Sequence, residues 1–209
     1  ALFGWTVSEG IVVSMPNAKR KRRTLPPVYK SVKQLSHQHI AALLQALFDN
    51  TDDALFELAD KSQSDQQQEM YFDSMRHIRM HRKSIGKHFL EQFEDNFEAL
   101  AEATAPETAS LEDQDYSLLD QDELEMNLAV SGIASKVTSL FSLPIMQITK
   151  RFGEVFKPHE VTEKNNPLGP QALSSAFAEA LSGLDVNIKV RIILMKLFER
   201  FVMERIGPV

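Results

Sequence analysis

Apolar residues recur along most of the chain at steps of three and four, the period of a helix with one buried face. Val32, Leu35, Ile40, Leu43, Leu44, Leu47 and Phe48 predict a first helix over 31–49, and the pattern stops at Asp49-Asn50. Asn50, Thr51, Asp52 and Asp53 have the residue types of a helix N-cap and an acidic first turn, so a tight turn and a new helix over 54–61 are expected. From Gln67 to Ala103, Tyr71, Met75, Ile78, Ile85, Phe89, Phe93, Phe97 and Leu100 form one continuous stripe. It predicts a helix of roughly 50 Å that needs antiparallel partners.

Thr104 to Tyr116, with Pro106, Ser110 and many acids, interrupts the periodicity and reads as a linker. A second helical pattern follows through Leu118, Leu119, Leu124, Leu128, Ile133, Val137, Leu140 and Phe141, until Pro144 ends or kinks it, and Ile145, Ile148, Phe152 and Phe156 continue it. Residues 157–169 are a loop, Pro170 suits a helix start, and Leu173, Phe177, Leu181 and Leu184 give that helix its apolar side. Asp185 is expected to cap a last helix in which Val186, Val190, Ile193, Leu197 and Phe201 form a face widened by Ile192, Leu194 and Phe198. So wide a face implies burial on more than one side, and with the chain stopping soon after, it predicts exposed apolar surface for a partner to cover.

The expected fold class is therefore all-α: one or more helix bundles with a long central helix, an acidic linker and a disordered basic N-terminal arm. The domain reading is a disordered arm over 1–30, a helical bundle over 31–103, a linker over 104–116, and a second helical segment over 117–209 packing on the first. The composition shift at Met15 marks residues 1–14 as candidates for upstream, non-native sequence. They make a poor signal peptide, with no basic leading region and an acid at Glu9.

Composition narrows the chemistry. With 43% hydrophobic and 25% charged residues the chain can bury a sizeable core. The absence of cysteine removes disulfides, thiolate catalysis and cysteine-ligated metals, and fits a cytoplasmic protein. The longest apolar run, Val190 to Phe198, contains Arg191 and Lys196, so no integral membrane segment is expected.

The net charge of −6 hides a segregation: seven basic and no acidic residues lie between Lys19 and Lys33, and thirteen acidic but no Lys or Arg between Glu91 and Asn127. Lys19, Arg20, Lys21, Arg22 and Arg23 in the arm, with Arg76, Arg79, Lys83 and Lys87 on the long helix, are candidate polyanion contacts. A solvated tail and a solvated helix face are the plainer readings, since no interleaved aromatics or base-reading motif accompany the arm. His77, His81 and His88 share a helix side, but the surrounding Arg and Lys would repel a metal cation. Asp120, Asp122, Glu123 and Glu125 lack the spacing of a calcium loop and suit the start of a helix.

Several strings resemble one family together. Leu43-Leu44-Gln45-Ala46-Leu47-Phe48-Asp49-Asn50-Thr51-Asp52-Asp53-Ala54-Leu55-Phe56-Glu57-Leu58-Ala59-Asp60 is similar to the opening signature of the bacterial domain of unknown function 1631 family. Tyr71-Phe72-Asp73-Ser74-Met75-Arg76, the Asp120 to Leu128 segment, and Asn166-Pro167-Leu168-Gly169-Pro170 with Ile188-Lys189-Val190 resemble its later blocks in the same order. The resemblance spans residues 24–206 and implies an N-terminal portion of a longer protein.

Some relatives carry the label thymidine phosphorylase. Phosphate cradles use glycine-rich turns, whereas Gly153, Gly169, Gly183 and Gly207 are isolated. No catalytic, cofactor or metal residues are therefore assigned. The reading is a non-catalytic interaction or regulatory module whose partner is the rest of the same protein or another protein. The alternatives are a polyanion-binding module that takes nucleic acid, and part of an enzyme whose site lies elsewhere.

Overall fold

The structure is a computed structural model that describes residues 26–102, 120–157 and 160–206. The basic cluster Lys19 to Arg23 and the acidic linker 104–116 lie outside the described residues. Six helices and one short 3-10 turn account for the described fold, with no strand among the described residues.

Helix α1 (Pro27–Asp60) begins earlier than the arm boundary at residue 30 implies. Pro27 stands at its first position, where a missing N–H is no loss because that amide has no helical partner. The early start buries Tyr29, whose hydroxyl donates to the Phe97 carbonyl oxygen at 3.0 Å.

The expected break at Asn50–Asp53 does not occur, and α1 runs through it without interruption. Thr51 explains why. It falls in register with the buried positions Leu44, Phe48, Leu55 and Ala59, and its hydroxyl donates to the Leu47 carbonyl one turn back at 2.9 Å. Asn50 does the same to Ala46 at 2.7 Å from the exposed side. Polar residues of weak helix preference cost about 0.5 kcal/mol each, less than the roughly 1.5–3 kcal/mol that burial of one leucine contributes. The buried stripe therefore wins, and Asn50, Thr51, Asp52 and Asp53 are not caps.

After a turn at Lys61–Ser64, Ser64 Oγ accepts the Gln67 amide and opens α2 (Asp65–Glu102), 38 residues that extend for about 57 Å. The two helices form an antiparallel hairpin tied along its length by Arg79–Asp52 at 2.9 Å, His37–Glu94 at 3.3 Å and Lys33 to Glu94 and Glu98.

Helix α3 (Gln121–Leu140) starts among acids, with Asp122 and Glu123 in its first turn facing the positive helix end. It breaks at Phe141, and α4 (Ser142–Val155) leaves at 94°. Pro144 sits in the first turn of α4, so it starts a helix instead of kinking one.

Pro170 likewise opens α5 (Pro170–Ser182). Helix α6 (Ile188–Phe201) is capped by Asn187, whose Oδ1 accepts the Lys189 amide at 2.9 Å, and not by Asp185 as the sequence suggested. A 3-10 turn, Met203–Arg205, follows.

Helix α5 packs on α2 and α3, and α6 on α1 and α3. One hydrophobic cluster therefore joins residues from both sides of the linker. At its centre Phe89 meets Phe177 and Phe198 edge-on, while Phe177 and Phe198 stack at 4.2 Å. A second aromatic group, Tyr29, Phe97, Phe152 and Phe156, locks the start of α1 and the end of α2 to α4. Burial raises the Tyr29 pKa far above its ordinary value.

Candidate interaction surfaces

Helix α2 carries no acid between Ser74 and Leu90 but five fixed cations, Arg76, Arg79, Arg82, Lys83 and Lys87. The core takes Ile78, Ile85 and Phe89, which turns Arg76, Arg79, Lys83 and Lys87, at steps of three, four and four, to the solvent side in single file. Arg79 is shared with Asp52 and Lys87 with Glu91, both in exposed pairs. One turn beyond Asp52 on α1 and one turn before Arg76 on α2, Phe56 and Phe72 meet at 6.1 Å and remain 56% and 38% exposed. The aromatic companions that the sequence reading found missing from the basic arm thus stand beside the helix cluster. Folding brings together the two rings, sixteen residues apart in the chain, from two helices.

His77 and His81 stack at 4.4 Å, and His81 Nδ1 lies 2.9 Å from the His77 carbonyl oxygen, which occupies one ring nitrogen. No group of three metal-competent side chains gathers among the described residues.

A different surface lies on α3 and α4. The expected exposed face on α6 is not there: Val190, Leu194, Met195 and Phe198 are wholly buried, and Ile192 and Ile193 are half-buried. Exposed apolar side chains instead line the elbow, with Leu128 at 64%, Leu143 at 57% and Met146 at 53%, joined by Leu124 and Leu140. Between Met126 and Thr149 the only charged residue is Lys136, and it reaches across to Glu199 and Glu204 at 2.5 and 2.8 Å. The hydrogen bond that Lys136 donates to Glu199, then the one it donates to Glu204, pushes the Lys136 pKa upward. The sequence reading missed this surface because it placed Leu124, Leu128 and Leu140 in one apolar pattern with the buried Ile133 and Val137; the near-absence of charge from Leu128 to Met146 was the available signal.

The loop between α4 and α5 is built around Asn166, which is fully buried. Its Nδ2 donates to Thr149 Oγ1 at 2.8 Å, and its Oδ1 accepts the Leu168 amide at 2.9 Å. A methyl at Gly169 would stand 2.8 Å from the Glu163 carbonyl oxygen and 2.9 Å from that of Asn166, so only glycine fits. Beside this loop an open cleft of about 470 Å³ is lined by Met146, Thr149, Lys150, Gly153, Glu154 and neighbouring residues. It holds no nucleophile–base pair, and its ionic contact is Lys157 with Glu154 on the rim.

Residues 24–209 match the family model described as "Protein of unknown function (DUF1631) N-terminal domain". No curated protein and no solved structure matches the chain.

Proposed function

We propose, from the premise that the chain belongs to the DUF1631 family of proteins of unknown function as its N-terminal domain, that it is a non-catalytic helical module whose α3–α4 elbow is its protein-contact face. The observation that carries this reading is the elbow itself: Leu128, Leu140, Leu143 and Met146 are exposed on a stretch whose only charge is Lys136. Exposed apolar side chains concentrated on two consecutive helices mark contact sites in proteins that otherwise keep such side chains inside. The partner proposed is the remainder of the longer polypeptide to which a family N-terminal domain belongs.

The test is capture of that remainder, expressed separately, by the 209-residue chain and by Leu128→Glu and Leu143→Glu variants. Both positions are exposed, so the helical circular dichroism should be retained while capture falls at least tenfold. Unchanged capture by both variants, each shown to be folded, would falsify the reading.

A further inference from the structure

We infer that the α2 stripe Arg76, Arg79, Lys83 and Lys87, ending on the Phe56–Phe72 pair, is a binding track for single-stranded nucleic acid. It shares no helix with the α3–α4 elbow and does not depend on the function proposed for it.

The geometry is that of a line. Successive cations are separated by about 4.5–6 Å along the helix axis, and the four cover roughly 16 Å. Arg76 and Lys83 make no ion pair among the described residues. Arg79–Asp52 and Lys87–Glu91 are exposed pairs, with Arg79 57% and Lys87 76% accessible. Such pairs hold weakly and yield to a competing phosphate. No acid on α2 interrupts the row between Arg76 and Lys87, and the two carboxylates paired to it are Asp52 of α1 and Glu91, one turn beyond Lys87.

The aromatic pair decides among linear or flat anions. Bases of a single strand expose their faces and stack on aromatic rings, whereas duplex bases are already stacked on one another. Phe56 and Phe72 are exposed and large, and Phe72 stands one helical turn before Arg76, at the end of the cation row. A membrane surface fits less well. The apolar side of α2 is consumed by the core at Ile78, Ile85 and Phe89, which leaves only Phe72 and Met80 exposed beside the cations to enter a bilayer.

The test uses the 209-residue chain with Lys19, Arg20, Lys21, Arg22 and Arg23 changed to glutamine, so that the arm cannot supply the binding. Fluorescence anisotropy with a labelled oligothymidylate, repeated between 50 and 200 mM salt, should give a log–log slope of about −3 for four phosphate contacts. Arg76→Gln and Lys83→Gln should each flatten the slope by about 0.7. Phe72→Ala should weaken binding about tenfold with no change of slope, because stacking releases no counterions. Absence of binding, a slope indifferent to Arg76 and Lys83, or an unchanged affinity in Phe72→Ala would each overturn the assignment. So would tighter binding to vesicles of anionic lipid, or to an acidic polypeptide, than to the oligonucleotide.

Discussion

Replacing Asn166 by alanine tests the loop that seats α5. The side chain is wholly enclosed and makes two hydrogen bonds, one to Thr149 on α4 and one from the Leu168 amide. Its own amide and carbonyl bond to Thr162 and Gly169, and alanine would keep both. The loss is therefore two side-chain bonds of about 1 kcal/mol each, plus the cost of a partly buried Leu168 N–H left without a partner, about 1–2 kcal/mol. Thr149 Oγ can turn to a carbonyl of its own helix, so its share is small.

The sum is about 3 kcal/mol, which for a chain of this size corresponds to a fall in Tm of roughly 6–12 °C. Urea unfolding followed by circular dichroism should show the midpoint drop with an unchanged m-value. Asn165 makes similar bonds from an exposed position, and its replacement by alanine should cost about 1 kcal/mol or less. A double-mutant cycle with Thr149→Val should return a coupling of about 1 kcal/mol. A loss in Asn166→Ala no larger than in Asn165→Ala would refute the burial reasoning, because the two differ chiefly in access to water.

Gly169→Ala should destabilise the chain by more than about 2 kcal/mol, since the methyl meets two backbone oxygens that cannot turn aside, whereas Gly132→Ala, with open space around it, should stabilise α3 by about 0.5–1 kcal/mol; urea midpoints compare the two. Asn50→Ala should be neutral or slightly stabilising by thermal melting, because Asn50 lies mid-helix, whereas loss of a true cap would cost about 1 kcal/mol. Tyr29 keeps its proton in the fold while the unfolded chain ionises near its ordinary value of 10.0, so this contribution is complete below pH 10 and is lost as pH rises above it. An alkaline stability titration should show a fall beginning near pH 10 that Tyr29→Phe reduces, and an identical fall in both proteins would exclude Tyr29 as its source.

The helices from Ile78 to Leu100 and from Pro170 onward were legible because each has a single strong apolar stripe and clear punctuation. Pro170 starts a helix where its missing amide costs nothing, and the acids at Asp122 and Glu123 do mark the first turn of α3. The break at Asn50–Asp53 was misread because local residue preference favoured a turn, while the register of Thr51 with Leu47 and Leu55 becomes decisive only once α2 covers it. Asp185 and Asn187 are equally good caps by type; the turn at Leu184–Val186 selects the second. The basic row on α2 could be counted off from its spacing, but the Phe56–Phe72 pair beside it depends on the hairpin register, which no single stretch of sequence contains. The elbow was hidden because exposed and buried leucines look alike until the other faces of α3 are occupied by α5 and α6.

The diversion of Lys136 toward Glu199 and Glu204 has one more effect, on how the molecule responds to its solution. With that ammonium satisfied, the elbow offers hydrocarbon and neutral hydroxyls, whose attraction ionic strength scarcely screens; the α2 row offers exposed cations, whose reach contracts from about 10 Å to 3 Å between 0.1 and 1 M salt. Raising the salt should therefore weaken the contacts proposed for the α2 row and spare those proposed for the elbow, so ionic strength alone would sort the two by the face that makes them.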